Sequence, residues 1–126
     1  MLDNGWQVGL LICYESEFPE AMRQCALDGA DLVLVPTALG IDWPIVSRCV
    51  IPSRAFENNV FLAYANYMGR DASNNYLGDS VIVAPTGQDL ARADEKNCWI
   101  EAQLDRQLIG RSRARLNYLK DYRELV

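Results

Sequence analysis

The chain has 126 residues, half of them hydrophobic and 23% charged, which suits one packed domain and excludes a disordered one. Its net charge of −5, with ten Arg and two Lys scattered along the chain, excludes a nucleic-acid surface. The four cysteines, Cys13, Cys25, Cys49 and Cys98, have no metal-like spacing, and the absence of histidine excludes a Cys-His or Ser-His nucleophile.

No apolar run is long enough to span a bilayer, and no basic region followed by an apolar core opens the chain. A reduced, cytoplasmic protein without metal or cofactor is therefore expected. Arg111, Arg113 and Arg115 are the one local concentration of positive charge. At i, i+2 and i+4 they do not share a helix face, so a solvated turn is expected there and not a phosphate site.

After a polar lead-in to Gln7, the run Val8 to Ile12 has the length and branching of a buried parallel strand, and it stops at Cys13. Cys13 therefore stands at the carboxyl end of a strand, where open α/β sheets place their ligand crevices. It is either a small buried residue or a nucleophile. Pro19 and Glu20 suit the first turn of a helix running to Leu27, with Met22, Cys25 and Ala26 inward and Gly29 as its stop. Ala30 to Val35 forms a second apolar strand, closed by Pro36. Strand, helix and strand make a right-handed βαβ unit, which brings Thr37, Ala38 and Leu39 beside Cys13.

Asp42 is expected to cap the next helix, with Pro44 in its first turn, Val46, Cys49 and Val50 inward, and a kink at Pro52. Val60 to Asn66 reads as a third buried strand that ends on a polar amide, and Gly69 to Gly78 as a polar loop. Ser80 to Ala84, Asp89 to Ala93 and Cys98 to Leu104 read as short strands joined by turns at Pro85-Thr86-Gly87 and Glu95-Lys96-Asn97. Connections this short require an antiparallel meander. From Asp105 a helix with Leu108 and Ile109 inward is followed by an extended tail. Its Tyr118, Leu119 and Tyr122 either dock on a partner subunit or pack back on their own domain.

Several segments taken together, in order and spacing, resemble the nitrilase superfamily of carbon–nitrogen hydrolases. They are Ile12-Cys13-Tyr14-Glu15-Ser16-Glu17-Phe18-Pro19-Glu20, Gly29-Ala30-Asp31-Leu32, Pro36-Thr37-Ala38, Arg54-Ala55-Phe56-Glu57-Asn58, Ala65-Asn66 with Gly69, and Gly78-Asp79-Ser80. The resemblance runs from about Gly9 to the C-terminus. It implies an α/β fold, the C-terminal half of an α-β-β-α sandwich with mixed sheets covered by helices. Residues 1–126 would then be a single partial domain with a tail from about 105 to 126.

The resemblance further implies hydrolysis of a small amide or nitrile through a thioester on Cys13, assisted by a glutamate base and a lysine. In the family both lie upstream of the cysteine, in the half that this sequence lacks, and neither Lys96 nor Lys120 matches the lysine's place. The expectation is a truncated chain or one piece of a two-chain enzyme, inactive alone and left with an open apolar face. A homo-oligomer is expected, and a non-catalytic interaction module is the alternative.

Around Cys13 the backbone N–H of Tyr14 is the candidate oxyanion donor. Phe18, Ala38 and Leu39 are candidates for an apolar wall, and Asn66 for a polar substrate contact. Glu17 stands where relatives acting on N-carbamoyl amino acids carry arginine, which favours a neutral or amine-bearing substrate. Glu15 and Arg54 are expected to form a supporting ion pair behind the nucleophile.

Overall fold

The structure, a computed structural model, describes residues 2–3, 5–94 and 98–125. Three parallel strands come first: β1 (Val8–Leu10), β2 (Leu32–Thr37) and β3 (Phe61–Asn66). Two antiparallel strands, β6 (Val81–Val83) and β7 (Asp89–Arg92), complete a five-stranded sheet of order β1-β2-β3-β6-β7. The helix α1 (Pro19–Leu27) connects β1 to β2, and Gly29 turns the chain after it at φ 97°.

β1 is shorter than its apolar run and is an edge strand, not a buried one, with Leu10 61% exposed. β2, by contrast, runs through Pro36 instead of closing before it. The Leu11 N–H bonds Leu34, whereas the Tyr67 N–H bonds Thr37, so even-numbered residues of β2 face β1. Pro36 thus directs its missing donor to the side where β1 has already ended, and no ladder bond is lost.

The next helix carries the backbone signature of Pro52. A π turn over Val46–Val50 leads into α2 (Ile51–Asn58), and the Ile51 N–H reaches back to the Val46 carbonyl. Proline cannot donate to the carbonyl four residues earlier, and the widened turn absorbs that loss. The widening also changes which side faces inward. Val46, Ser47 and Ile51 are buried, while Cys49, expected in the core, is exposed. Asp42 does not cap this helix; its flanking turn is closed by backbone bonds from Trp43 to Gly40 and from Val46 to Trp43.

The expected loop after Asn66 is instead a hairpin, β4 (Met68–Arg70) with β5 (Asn75–Leu77). Asp71 builds its turn: Oδ1 accepts the Ser73 and Asn74 N–H groups, and the Tyr76 hydroxyl donates to Oδ2 at 2.6 Å. The meander stops at β7. Cys98 to Leu104 forms no strand, because its apolar residues go elsewhere: Leu104 packs beside Phe61 and Ile109, and Trp99 is exposed. The turn expected at Glu95-Lys96-Asn97 lies outside the described residues.

The C-terminal segment is two helices, α3 (Gln107–Arg115) and α4 (Tyr118–Leu125), in place of a helix and an extended tail. Asn117 accepts the Lys120 N–H and so starts α4. α4 packs on its own chain, with Tyr118 edge-on to Phe56 at 5.5 Å, Arg23 over the Tyr122 ring and Leu119 against the core. The three arginines near it are helical; Arg111 pairs with Asp105.

The two faces of the sheet differ. Val33, Val35, Leu62, Tyr64, Val81 and Val83 point to one face and are buried under Met22 and Ala26 of α1 and Ile51 and Ala55 of α2. On the other face, α3 with Trp6 and Leu104 covers only the end near Leu32, Phe61 and Ala84. Toward the carboxyl ends, Leu10 and Leu34 of that face are open, as are Pro36 and Ala65.

Candidate active site

Cys13 is half-buried where β1 gives way to a 3-10 turn, Cys13–Glu17, that leads through Phe18 into α1. Register places it. Leu10 pairs with Leu34, and Thr37 pairs with Asn66, so the segment after β1, the end of β2 and the end of β3 form one row at the carboxyl edge. The backbone of Cys13 lies at φ 51°, in the left-handed region that residues with a Cβ seldom adopt. Such a conformation costs on the order of 1–3 kcal/mol and persists only where its surroundings enforce it.

Those surroundings are explicit. The Ser16 hydroxyl donates to the Cys13 carbonyl at 2.8 Å, and the Glu15 carboxylate accepts the Ile12 N–H at 2.7 Å. Arg54 of α2 donates to the Glu17 carbonyl at 2.8 Å. The Tyr14 N–H belongs to the first residues of the turn, whose donors have no partner within it. Its ring is 63% exposed and stands edge-on to Phe18 at 5.0 Å.

The expected Glu15–Arg54 ion pair does not form. Glu15 is occupied with its own backbone three residues back, and Arg54 pairs with Glu57 at 2.9 Å, one helical turn along α2. Each braces the turn separately. Asn66 also differs from expectation, for its amide is committed to the scaffold. Its Oδ1 accepts the Leu39 N–H at 2.7 Å, and its Nδ2 donates to the Gly78 carbonyl. The amide thereby fastens the loop after β2 to the hairpin instead of offering its polar atoms to a substrate. Leu39 is buried in the main core, while Phe18 and Ala38 are exposed beside the turn.

Two groups were missed by pattern reading. Tyr64, 2% exposed, lies on the helix-covered face. Burial above all, aided by the acidic neighbours Cys13, Glu17 and Asp79 and opposed by the hydrogen bond with Thr37, pushes its phenol up to about 12. A neutral phenol thus stands close to the turn that carries Cys13. The available signal was its place, two residues before the strand-end Asn66.

Asp79 is the other. At φ 57°, directly after Gly78, it accepts from the Ser47 hydroxyl and pairs with Arg48 and Arg92, each at 3.1 Å. Burial alone would raise its carboxyl, but these three donors outweigh burial and hold it below the usual range. The cluster ties the π turn to β6 and β7. Its trace in the sequence was Gly78-Asp79-Ser80, quoted for the resemblance and given no role. Among the described residues no group of three or more His, Cys, Asp or Glu side chains is arranged to hold a metal.

The family model for carbon-nitrogen hydrolase matches residues 2–114. The chain belongs to the carbon–nitrogen hydrolase family. A Pseudomonas protegens protein described as "Hydrolase in pqqF 5'region" is 49% identical over 95% of this chain and 42% of its own length. The carbon–nitrogen hydrolase fold is matched by the crystal structure of an amidase from Nesterenkonia sp., with a TM-score of 0.80, 40% identity, and coverage of 93% of this chain and 44% of that one.

A mutant of the amidase from Nesterenkonia sp. AN1 carries the acetamide moiety of fluoroacetamide covalently added at its active site cysteine. It is 48% identical, with a TM-score of 0.69 over 71% of this chain and 34% of that one. The chain spans less than half the length of these relatives. No helix among the described residues is long and apolar enough to cross a membrane.

Proposed function

We propose that this chain is the nucleophile-bearing half of a hydrolase that cleaves the carbon–nitrogen bond of small amides. The observation that carries the reading is the strained backbone at Cys13, held by three separate hydrogen-bonded contacts at the carboxyl edge of the three parallel strands. Strain maintained at such a place is a mark of function more than of packing.

In the complete enzyme the Cys13 Sγ–H gives its proton to the glutamate base as sulfur bonds to the amide carbon. The carbonyl oxygen becomes an oxyanion, and the Tyr14 N–H is its donor from this chain. When the carbon–nitrogen bond breaks, the glutamic acid returns the proton to the leaving ammonia or amine. Water, deprotonated by the same glutamate, then adds to the thioester and releases the carboxylic acid, and the proton returns to sulfur. The base and the lysine are supplied from outside this chain, as the resemblance implies. The thiolate, not the thiol, is the attacking species, so a base and a cation are needed to favour it.

The open face around Leu10, Leu34 and Pro36 supports this division of labour, because a complementary half would cover it. The same face supports a second reading, a half-subunit that associates without turnover. Glu17 makes the neighbourhood of Cys13 acidic, so neutral or amine-bearing amides are the preferred substrates.

The test is complementation. Mixing the chain with the separately produced remainder of the Pseudomonas protegens relative should release ammonia from propionamide, and Cys13→Ala should abolish that release. A mixture that forms a stable complex but shows no turnover would favour the non-catalytic reading. Faster turnover of succinamate than of the neutral amide would end the role given to Glu17.

A further inference from the structure

We infer that Arg54 is a positioning residue for the nucleophile, acting through the carbonyl of Glu17. The inference rests on the reading of Cys13 as nucleophile and adds to it the part of the fold that holds the strained turn in place. Arg54 lies on α2, and its side chain is only 14% exposed. One guanidinium nitrogen, Nη1, pairs with Glu57 at 2.9 Å; the other, Nη2, crosses to the turn and donates to Glu17 at 2.8 Å. Nε is buried and has no partner.

That combination is informative. A guanidinium serving only its own helix would pair with Glu57 from an exposed position, a weak surface interaction. Burying it with one donor unsatisfied is unfavourable, so something else must offset the burial. The contact that does so is the charge-assisted bond to Glu17.

The Glu17 carbonyl ends the 3-10 turn and is one of the acceptors that such a turn leaves without an internal partner. The start of the turn is tied locally by Ser16 and Glu15. Its far end is tied to another element by Arg54. Arg23 of α1, whose Nη1 donates to the Glu57 carbonyl at 2.7 Å, closes the triangle of turn, α1 and α2. Fixed at both ends, the turn cannot relax Cys13 to negative φ.

Arg54→Met should free the far end, and Glu57→Gln should remove the ion pair while leaving the bond to Glu17. In the chain as it stands, hydrogen exchange of the Glu15 and Phe18 amides, both bonded within the turn, should quicken about tenfold or more in Arg54→Met. It should change little in Glu57→Gln, with the β3 amides unaffected in both. In the complemented enzyme, Arg54→Met should lower kcat at least tenfold at nearly constant KM, and Arg54→Lys should recover part of it. Turn amides that stay protected in Arg54→Met, or that loosen equally in Glu57→Gln, would overturn the inference whatever the activity. Loss of the Cys13 reading would show separately, as turnover that survives Cys13→Ala.

Discussion

One face of the sheet is finished and the other is not. Val33, Val35, Leu62 and Val81 lie fully buried under two helices, whereas Leu10 and Leu34, on neighbouring strands, remain open on the opposite face. The same strands serve both faces, so the difference lies in what covers them and not in their own composition. Cys13 stands at the border, braced from the covered side by Arg54 and adjoining the uncovered one. The covered side therefore positions the thiol, and in our account the open side is where chemistry is completed.

The sharpest way to break this contrast is to cut a side chain on each face. Leu62→Ala should destabilise the chain by about 2–5 kcal/mol in urea unfolding, from lost transfer energy and a residual cavity. Leu34→Ala, 38% exposed, should change stability by less than about 1 kcal/mol. Equal losses would mean that the open face is covered in solution by the chain itself.

The covered side also has an ionic anchor. Asp79→Asn leaves Arg48 and Arg92 without their shared carboxylate and should lose about 2 kcal/mol. Because the folded carboxyl is held below its ordinary range, the folded state binds fewer protons than the unfolded one as the medium is acidified. Its contribution is therefore complete above the unfolded value near 4 and is lost as pH falls through the folded one. Urea midpoints from pH 6 to pH 3 should fall more steeply for the parent chain than for Asp79→Asn.

A smaller effect is expected where Asn66 ties two loops together. Asn66→Ala removes bonds to Leu39 and Gly78 and should lose roughly 1–2 kcal/mol, with faster exchange of the Leu39 amide. The smallest change in stability belongs to the open face. Leu34→Lys should alter unfolding by about 0.5 kcal/mol or less while reducing self-association in light scattering. Light scattering equal to that of the parent chain would mean that the open face does not mediate association.

Much of this contrast was legible in the sequence. Apolar runs located β1, β2 and β3, and Pro19 and Gly29 bounded α1, because these signals act within a few residues. The uncovered face was foreseen from the resemblance and not from hydropathy. Pattern reading failed where long-range partners decide. Cys98 to Leu104 has strand-like composition, but Leu104 is drawn to the cluster of Phe61 and Ile109. The segment after Leu116 became a helix because Asn117 caps it and α2 receives it. At the site, the position of Cys13 was readable from the end of its apolar run. The ion pair of Arg54 with Glu57 was readable too, from their i,i+3 spacing on one helix, whereas its bond to the Glu17 carbonyl was not, since only the packing of α2 against the turn creates it.

The central claim is that sulfur on Cys13 forms the covalent intermediate when the other half is present. Peptide mass mapping of the complemented protein, quenched in acid during turnover of propionamide, tests it most directly. The account predicts a propionyl mass increment on the peptide containing Cys13, absent from the chain incubated alone. Turnover with that peptide unmodified and the increment on another residue would contradict it.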